Sequence, residues 1–215
     1  MGDWYYWHRE HRGTLLAIFA FVVMFAIYSF NHPVGLNANV ATTAANKGVL
    51  LALVAMAQTV VVITSGIDLS VGAVLVLANC LASRIVLGDT ISTGMGVVGV
   101  LLVGCLCGAL NALIVVYGRL QPIVTTIATG AVFYGIALAL RPVPGGDVNA
   151  QLAEALTGKL WLDIPASLVL LAAIIGLVWV PYRRSMIGRA TYAVGSSESA
   201  AYMSGVPIKA AKFTA

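Results

Sequence analysis

The chain alternates long apolar runs with short polar segments along its whole length. Six apolar runs are each close to the roughly 17 to 25 residues that cross about 30 Å of hydrocarbon. They cover residues 14–30, 47–64, 69–86, 94–116, 122–140 and 165–181. The pattern predicts an all-α fold, in which residues 1–181 form a polytopic membrane helix bundle of about six transmembrane helices and residues 182–215 form a polar tail.

One polar interruption lies inside an apolar stretch. Residues 47–84 are too many for a single span, and the letters "TSGIDLS" mark the point at which the segment must break. Gly66 can end one helix, and Asp68 can cap the next by accepting hydrogen bonds from the amides of Ser70 or Val71. The sequence therefore predicts a broken helix near Gly66 and Asp68.

Asp68 has three readings that the sequence leaves open. It can serve only as a cap, it can be a cap that also faces a permeation pathway, or it can relay a proton or an ion. The candidate pathway residues are the helix-break residues and the polar groups within the spans: Gly66, Asp68, Ser70, Gln58, Asn79, Asn111, Thr125 and Thr126. Each of the polar side chains can equally form a hydrogen bond between helices.

The fourth apolar run contains the letters "GCLCG". Gly104 and Gly108 are four residues apart, a spacing that lets a neighbouring helix approach closely, so we expect this face to pack against another helix. Cys105 and Cys107 point away from each other on a helix, and Cys80 lies in another run. The cysteines therefore indicate neither a disulfide nor a metal site.

Composition and charge agree with a membrane protein. Of the 215 residues 60% are hydrophobic and only 9% are charged, compared with roughly 25% charged residues in soluble domains. An amino terminus inside the cell would place eight basic residues on the cytoplasmic side (Arg9, Arg12, Arg119, Arg183, Arg184, Arg189, Lys209 and Lys212) and four outside (Lys47, Arg84, Arg141 and Lys159). The positive-inside rule favours this orientation. The net charge of +4 thus reports on topology, and we expect no nucleic-acid partner.

Two polar segments have a readable local structure. The outer loop after the fifth run contains an amphipathic piece over residues 151–156, which could form a lid or a docking surface. In the tail, Ser197 is a good N-cap, Glu198 suits a first helical turn and Gly205 a helix end. A helix of about seven residues is too short to be stable alone, so it requires a partner surface.

Three stretches, "SGIDLSVGAVLVLAN", "LQPIVTTIATGAVFYGIALAL" and "IGRATYAVGSSESAAYMSGVPIKAAKF", resemble successive regions of the permease subunits of ribose/xylose-type ABC importers for simple sugars. The resemblance implies a multi-pass protein of the bacterial cell (inner) membrane that forms the translocation pathway. It also implies an ATP-binding subunit at the cytoplasmic face, a second permease subunit and an extracytoplasmic solute-binding protein as partners.

The resemblance further implies that residues 182–215 are the cytoplasmic coupling loop that docks on the ATP-binding subunit. The ATPase-coupling residues would be Gly188, Arg189, Gly195, Ser197, Glu198, Ala200, Ala201 and Gly205. Family members have a glycine-rich turn before the short helix, and here Gly195, Ser196 and Ser197 occupy its place. Because family members continue into further spans, the resemblance also implies that this chain lacks the C-terminal ones.

The sequence separates three classes of function. A transport subunit agrees with the tail helix, and because the chain has no GxxxxGK[ST] phosphate loop, ATP hydrolysis is expected on a separate subunit. The alternative is an ion-coupled secondary transporter of a small solute that uses Asp68. A membrane-embedded enzyme is the third class, but the spans hold no cluster of catalytic residue types, so we expect no catalytic residue, cofactor or metal.

Overall fold

A computed structural model describes residues 11–31, 37–160 and 163–215. Its contacts divide the chain into two compact units, Met1–Ala45 and Asn46–Ala215. Within the described residues the structure is helical and contains no β-strand, which confirms the predicted all-α class. Arg9, one of the basic residues predicted to lie on the cytoplasmic side, lies outside the described residues.

The first unit contains helix α1, Arg12–Asn31, and the first residues of α2, Ala38–Ile63. Helix α1 is apolar on all sides, and Leu16, Phe19 and Phe21 are each 67% exposed. A helix with apolar residues around its whole circumference suits lipid better than water. Two of its polar side chains bond within the helix: the Ser29 hydroxyl donates to the carbonyl of Phe25, and the Asn31 amide to the carbonyl of Ile27.

The second unit contains the rest of α2 and four further long segments. These are α3, Val71–Ile85; α4, Thr90–Ala112, which continues through a π-helical turn, Leu113–Tyr117; α5, Pro122–Leu140; and α7, Ala166–Ile174, which continues through a second π-helical turn to Arg184. A short helix α6, Ala150–Thr157, lies between α5 and α7. Three short helices follow: α8, Met186–Ser196; α9, Glu198–Met203; and α10, Ile208–Phe213.

Five described helices are long and apolar enough to cross a membrane, and α3 is the exception among the predicted spans. It has 15 residues, about 22 Å at 1.5 Å per residue, which is shorter than the hydrocarbon layer. Residues 64–70 remain non-helical before it, so the first two residues of the predicted span 69–86 lie outside the helix. Helix α2 in turn begins nine residues before the predicted span 47–64.

Helices α3, α4 and α5 form the core of the second unit. Leu77, Cys107, Phe133 and Ala137 are buried together, one or two from each helix. The core is narrow because most large apolar side chains face outward, as expected where lipid replaces water. Gly96 of α4 sits against the end of α3: a Cβ at this position would lie 2.3 Å from the Ile85 carbonyl oxygen.

The opposite ends of these helices differ, and we call them the loop end and the tail end. At the loop end, Asn149 caps α6 and donates hydrogen bonds to the carbonyls of Val86 and Gly88, which fixes α6 beside the turn between α3 and α4. Asn46 of α2 bonds there to Thr157 and Ser167. The tail end contains the last turns of α2, α4 and α7 together with α8, α9 and α10.

The predicted packing of Gly104 and Gly108 is not observed. A Cβ at either glycine would meet no atom of the described residues within 4 Å. This face of α4 is open, and Gly108 borders the cavity described below instead of a neighbouring helix.

Candidate pathway and coupling site

The chain breaks between α2 and α3 inside the bundle. Asn111 of α4, which contacts the break, lies six residues before Tyr117, about 9 Å along the helix from the tail end. Ser65 adopts a φ of 60°, a left-handed conformation that costs energy for a residue with a side chain. The amide of Gly66 donates to the carbonyl of Val61 and closes the last turn of α2.

Asp68 holds the start of α3. One of its carboxylate oxygens, Oδ1, accepts hydrogen bonds from the Ser70 amide and from the Ser70 hydroxyl, both at 2.7 Å. The predicted bond to the Ser70 amide is therefore confirmed. The N-cap position itself belongs to Ser70, because the first helical residue is Val71, so Asp68 supports the cap from two residues upstream.

Three other helices attach to the same segment. The Asn111 side-chain amide donates to the Ser70 hydroxyl oxygen at 2.8 Å, and the Thr126 hydroxyl oxygen accepts from the Leu69 amide at 3.0 Å. The Gln58 side chain donates to the Asp68 carbonyl. Ser70, which is fully buried, thus connects α3 to both Asp68 and α4.

Not every polar atom at the break has a partner among the described residues. The second carboxylate oxygen of Asp68, Oδ2, accepts no hydrogen bond from them. Asn111 Oδ1 and Thr125 Oγ1 are buried and likewise have no hydrogen-bond partner there. A buried polar atom without a partner costs about 1–3 kcal/mol, so such atoms are uncommon in folded proteins.

A cavity of about 400 Å³ opens beside Asp68. Its walls are the break from Thr64 to Asp68, the tail-end half of α4, the start of α5, and the residues from Lys212 to Ala215. Cys105 and Asn111 lie on the α4 wall, and Thr126 on the α5 wall. The cavity therefore places a carboxylate and several neutral polar groups in one partly enclosed space.

The three short tail helices form a cluster of their own, which we call the tail cluster (α8, α9 and α10). Its core is formed by small apolar residues, Ala190, Val194, Ala201 and Ala211. Ser197 caps α9 by accepting from the Ala200 amide at 3.3 Å, and Gly205 follows the helix with a φ of 75°. The predicted short helix and both of its boundary signals are thus confirmed.

The turn expected over Gly195, Ser196 and Ser197 is wrong. Gly195 and Ser196 belong to the last turn of α8, and only Ser197 is extended. The lack of a side chain at Gly195 allows α8 to contact Ile63, the last residue of α2. A Cβ at this position would lie 2.0 Å from the Ile63 carbonyl oxygen.

The tail cluster also contacts the cavity through α10. Lys212 forms an ion pair of 2.7 Å with Glu198 of α9. The Phe213 ring meets the Tyr117 ring of α4 edge to face at 6.3 Å, and Lys209 lies over the same ring at 5.8 Å. The tail cluster therefore contacts the end of α2 through Gly195 and lines the cavity through α10.

Residues 40–215 match the family described as "Branched-chain amino acid transport system / permease component". The chain belongs to this family. The permease is 32% identical over 210 residues to the ribose import permease protein of Bacillus subtilis (strain 168), which covers 93% of this chain and 62% of that protein. It is 28% identical over 197 residues to the ribose import permease protein of Haemophilus influenzae, covering 90% and 61%.

The D-allose transport system permease protein of Escherichia coli (strain K12) is 29% identical over 164 residues, or 73% of this chain and 48% of that protein. The permease spans 61% to 64% of the length of the ribose permeases that it matches. No solved structure matches it. The family description is that of a permease component of a transport system, and five of the described helices are long and apolar enough to cross a membrane.

The structure brings together most of the predicted pathway residues. Gln58, Gly66, Asp68, Ser70, Asn111 and Thr126 meet at the break, with Thr125 adjacent to Thr126 in the buried face of α5. Asn79 lies apart from them, in a separate hollow with Tyr134 and Arg141. Gly130 was not predicted: a Cβ there would lie 3.3 Å from the Ser70 Cα. Gly130 lies four residues after Thr126 and therefore on the same face of α5, which is the sequence signal that could have indicated it.

The predicted coupling residues of the permease fall into two groups. Gly188, Gly195 and Ala201 lie inside the chain: Gly188 sits against the Tyr182 carbonyl, Gly195 against Ile63, and Ala201 in the tail core. Arg189, Glu198, Ala200 and Gly205 are exposed, and Ser197 is half-buried. Two further residues of α9 that were not among the predicted coupling residues are strongly exposed, Tyr202 at 75% and Met203 at 86%.

The basic residues of the second unit separate by end. Arg119, Arg183, Arg184, Arg189, Lys209 and Lys212 lie at the tail end, and Lys47, Arg84, Arg141 and Lys159 at the loop end. At the loop end Arg84 donates to the Leu140 carbonyl and Arg141 to the Ser83 hydroxyl, which joins the ends of α3 and α5. The grouping agrees with the one predicted from the sequence.

Proposed function

We propose that this chain is the permease subunit of an ATP-binding-cassette importer for a simple sugar of the pentose or hexose class, with the tail end in the cytoplasm. The relatives named for ribose and D-allose support the solute class. The observation that carries the proposal is α9, a capped two-turn helix with exposed Tyr202 and Met203 at its end. Large apolar side chains in this position suit a protein partner.

The proposed partner at α9 is the ATP-binding subunit. The exposed predicted residues, Arg189, Glu198, Ala200 and Gly205, would contact it together with Tyr202 and Met203. Gly188, Gly195 and Ala201 would act inside the permease, because they hold the tail cluster together and against α2. Movement of α9 would then reach the end of α2 through Gly195 of the same cluster, and the cavity wall through the Glu198–Lys212 ion pair.

The proposed pathway runs beside the break. Gln58, Gly66, Asp68, Ser70, Asn111, Thr125 and Thr126 would form its polar side, and a second permease subunit would complete it against the open face of α4. A solute-binding protein would deliver the sugar at the loop end, where α6 and the arginines lie. Lipid would cover the remaining apolar surface.

The test is uptake in cells that express the gene of this chain together with an ATP-binding subunit and a solute-binding protein of a sugar importer. We expect uptake of D-ribose or a related sugar that requires an intact ATP-binding subunit. Tyr202→Ala together with Met203→Ala should abolish uptake and co-purification of the ATP-binding subunit, whereas Met95→Ala, an exposed residue of α4 far from α9, should change neither. Uptake that follows a sodium or proton gradient without ATP would instead support the ion-coupled alternative through Asp68.

A further inference from the structure

The cavity at the break has an uneven set of hydrogen-bonding groups. Asp68 Oδ2 has no hydrogen-bond partner among the described residues, and the Ser65 hydroxyl on the same wall forms none there either. Asn111 Oδ1 is a further acceptor without a partner in the α4 wall, covered by neighbouring atoms in this state. Asp68 Oδ2 and Asn111 Oδ1 can only accept, so they suit a solute that supplies hydrogen-bond donors.

The described residues that line the cavity include no unpaired cation. Lys212 is the one cation among the residues that line it, and its ammonium group is paired with Glu198 at 2.7 Å. The Ser70 amide, which precedes α3, already donates to Asp68 Oδ1. A carboxylate in the cavity would also be repelled by the Asp68 carboxylate, because the wall limits access of water and weakens screening.

A cavity with free acceptors and no unpaired cation favours one class of solute over another. A zwitterionic amino acid would lose the hydration of its carboxylate without gaining a cation to pair with it, and this loss is costly. A neutral polyhydroxyl solute needs no cation, and its hydroxyl groups can donate to the carboxylate in charge-assisted hydrogen bonds. The distinction matters because the family description mentions amino acids, whereas the relatives are named for sugars.

We propose that the cavity beside Asp68 is a subsite for a neutral polyhydroxyl solute, in which a solute hydroxyl donates to Asp68 Oδ2 and the Ser65 hydroxyl lies within reach of a second. The proposal rests on the proposed function as a sugar permease. The subsite would lie at the break. The ion pair between Glu198 and Lys212 would keep the Lys212 ammonium group from binding an anion in the cavity.

A natural cysteine on the cavity wall can be used to detect solute binding at this site. Cys105 is a free, exposed thiol on the cavity wall, whereas Cys107 is buried and Cys80 lies outside the cavity lining. A hydrophilic methanethiosulfonate reagent reacts with the thiolate, which forms readily only where water reaches the sulfur. The full chain in lipid nanodiscs, with both ends accessible, is treated with the reagent, and the signal lost in Cys105→Ala is assigned to Cys105.

We expect D-ribose to slow the modification of Cys105 in a saturable manner, and L-leucine to leave the rate unchanged. Asp68→Asn should raise the D-ribose concentration that gives half protection about tenfold or more, because a hydrogen bond to a charged acceptor is lost. Asp147→Asn, the same change in an exposed loop outside the cavity lining, should leave it unchanged. Glu198→Gln should release Lys212 and allow L-leucine to protect.

Protection by L-leucine but not by D-ribose would overturn the proposal, and so would equal protection in wild type and Asp68→Asn. A Ser65→Cys variant supplies a second reporter on the opposite wall. If neither thiol reacts, the cavity is closed to water and the subsite does not exist. Sugar uptake in cells without protection of either thiol would refute the subsite and leave the proposed function intact.

Discussion

Asp68 has a structural role at the start of α3 that does not depend on any role in transport. Its Oδ1 accepts two bonds from Ser70, and Ser70 in turn anchors Asn111. We expect Asp68→Asn to retain both bonds and to remain close to wild type in stability. Asp68→Leu removes the acceptor, leaves the Ser70 amide without its partner and should cost about 1–3 kcal/mol.

The measurement for these two variants is accumulation in the membrane and the temperature at which the purified chain loses its monodisperse size-exclusion peak. Solute binding is a separate property of Oδ2 and does not enter this comparison. If Asp68→Asn lowers the transition temperature as much as Asp68→Leu, the carboxylate charge holds the break, and the account based on hydrogen bonds is wrong.

Glycines of α4 provide a second comparison at the scale of residues. Gly96→Ala would bring a Cβ to 2.3 Å from the Ile85 carbonyl oxygen, which forces α3 and α4 apart, whereas Gly94→Ala meets nothing within 4 Å. We expect Gly96→Ala to destabilise the chain by about 1–3 kcal/mol. Gly94→Ala should be neutral or stabilising by up to about 1 kcal/mol.

The same size-exclusion assay measures both glycine variants. Equal transition temperatures for Gly94→Ala and Gly96→Ala would show that α3 and α4 are not held at the distance described. Because the two positions lie on one helix, a difference between them cannot come from helix propensity.

Among single residues, those with a local signal were predictable. Asp68 and Ser197 precede helices, and their side chains bond to amides two or three residues later, which the order of letters shows directly. The packing contacts of Gly130 and Gly195 were not predictable in the same way. Each is required by a backbone atom that is distant in sequence, Ser70 Cα and Ile63 O respectively, and nothing near either glycine identifies that atom.

At the scale of elements, α9 shows what a cap contributes. Ser197→Ala removes the acceptor for the Ala200 amide, which costs about 1 kcal/mol in a helix of only six residues. We expect amide hydrogen exchange over residues 198–203 to become about fivefold faster. Ser196→Ala should not change the exchange in this segment, because the Ser196 hydroxyl bonds back within α8.

Hydrogen exchange with mass spectrometry measures both variants, read on peptides that cover α9. An unchanged rate in Ser197→Ala would mean that packing of Ala201 in the tail core, rather than the cap, determines the stability of α9.

Helix limits were predictable where the chain carries an unmistakable boundary. Helix α5 runs over Pro122–Leu140 as predicted, because proline favours a first helical position and Arg141 ends the apolar run. Helix α2 was predicted too short: residues from Ala38 onward are polar enough to read as a loop, although Asn37 caps them by accepting from the Val40 amide. Hydropathy locates the part of a helix in lipid and not the whole helix.

For the whole molecule, the composition and the six apolar runs were enough to predict an all-α membrane bundle. They could not predict that the tail cluster forms one wall of a cavity at the break. The contacts between Tyr117 and Phe213 and between Glu198 and Lys212 join segments with no common pattern. Contacts between distant segments depend on how the helices pack, which a single sequence does not encode in any local signal.

The orientation of the whole permease can be tested with two added cysteines. Asp147 and Ser199 are exposed, at the loop end and the tail end respectively. With six basic residues at the tail end and four at the loop end of the second unit, the tail end should face the cytoplasm. In intact cells, and with Cys105 replaced by Ala, an impermeant thiol reagent should label Asp147→Cys and should label Ser199→Cys only after the membrane is permeabilised. Labelling of Ser199→Cys in intact cells would place α9 outside the cell, where it could not meet an ATP-binding subunit, and would therefore refute both the topology and the proposed docking surface.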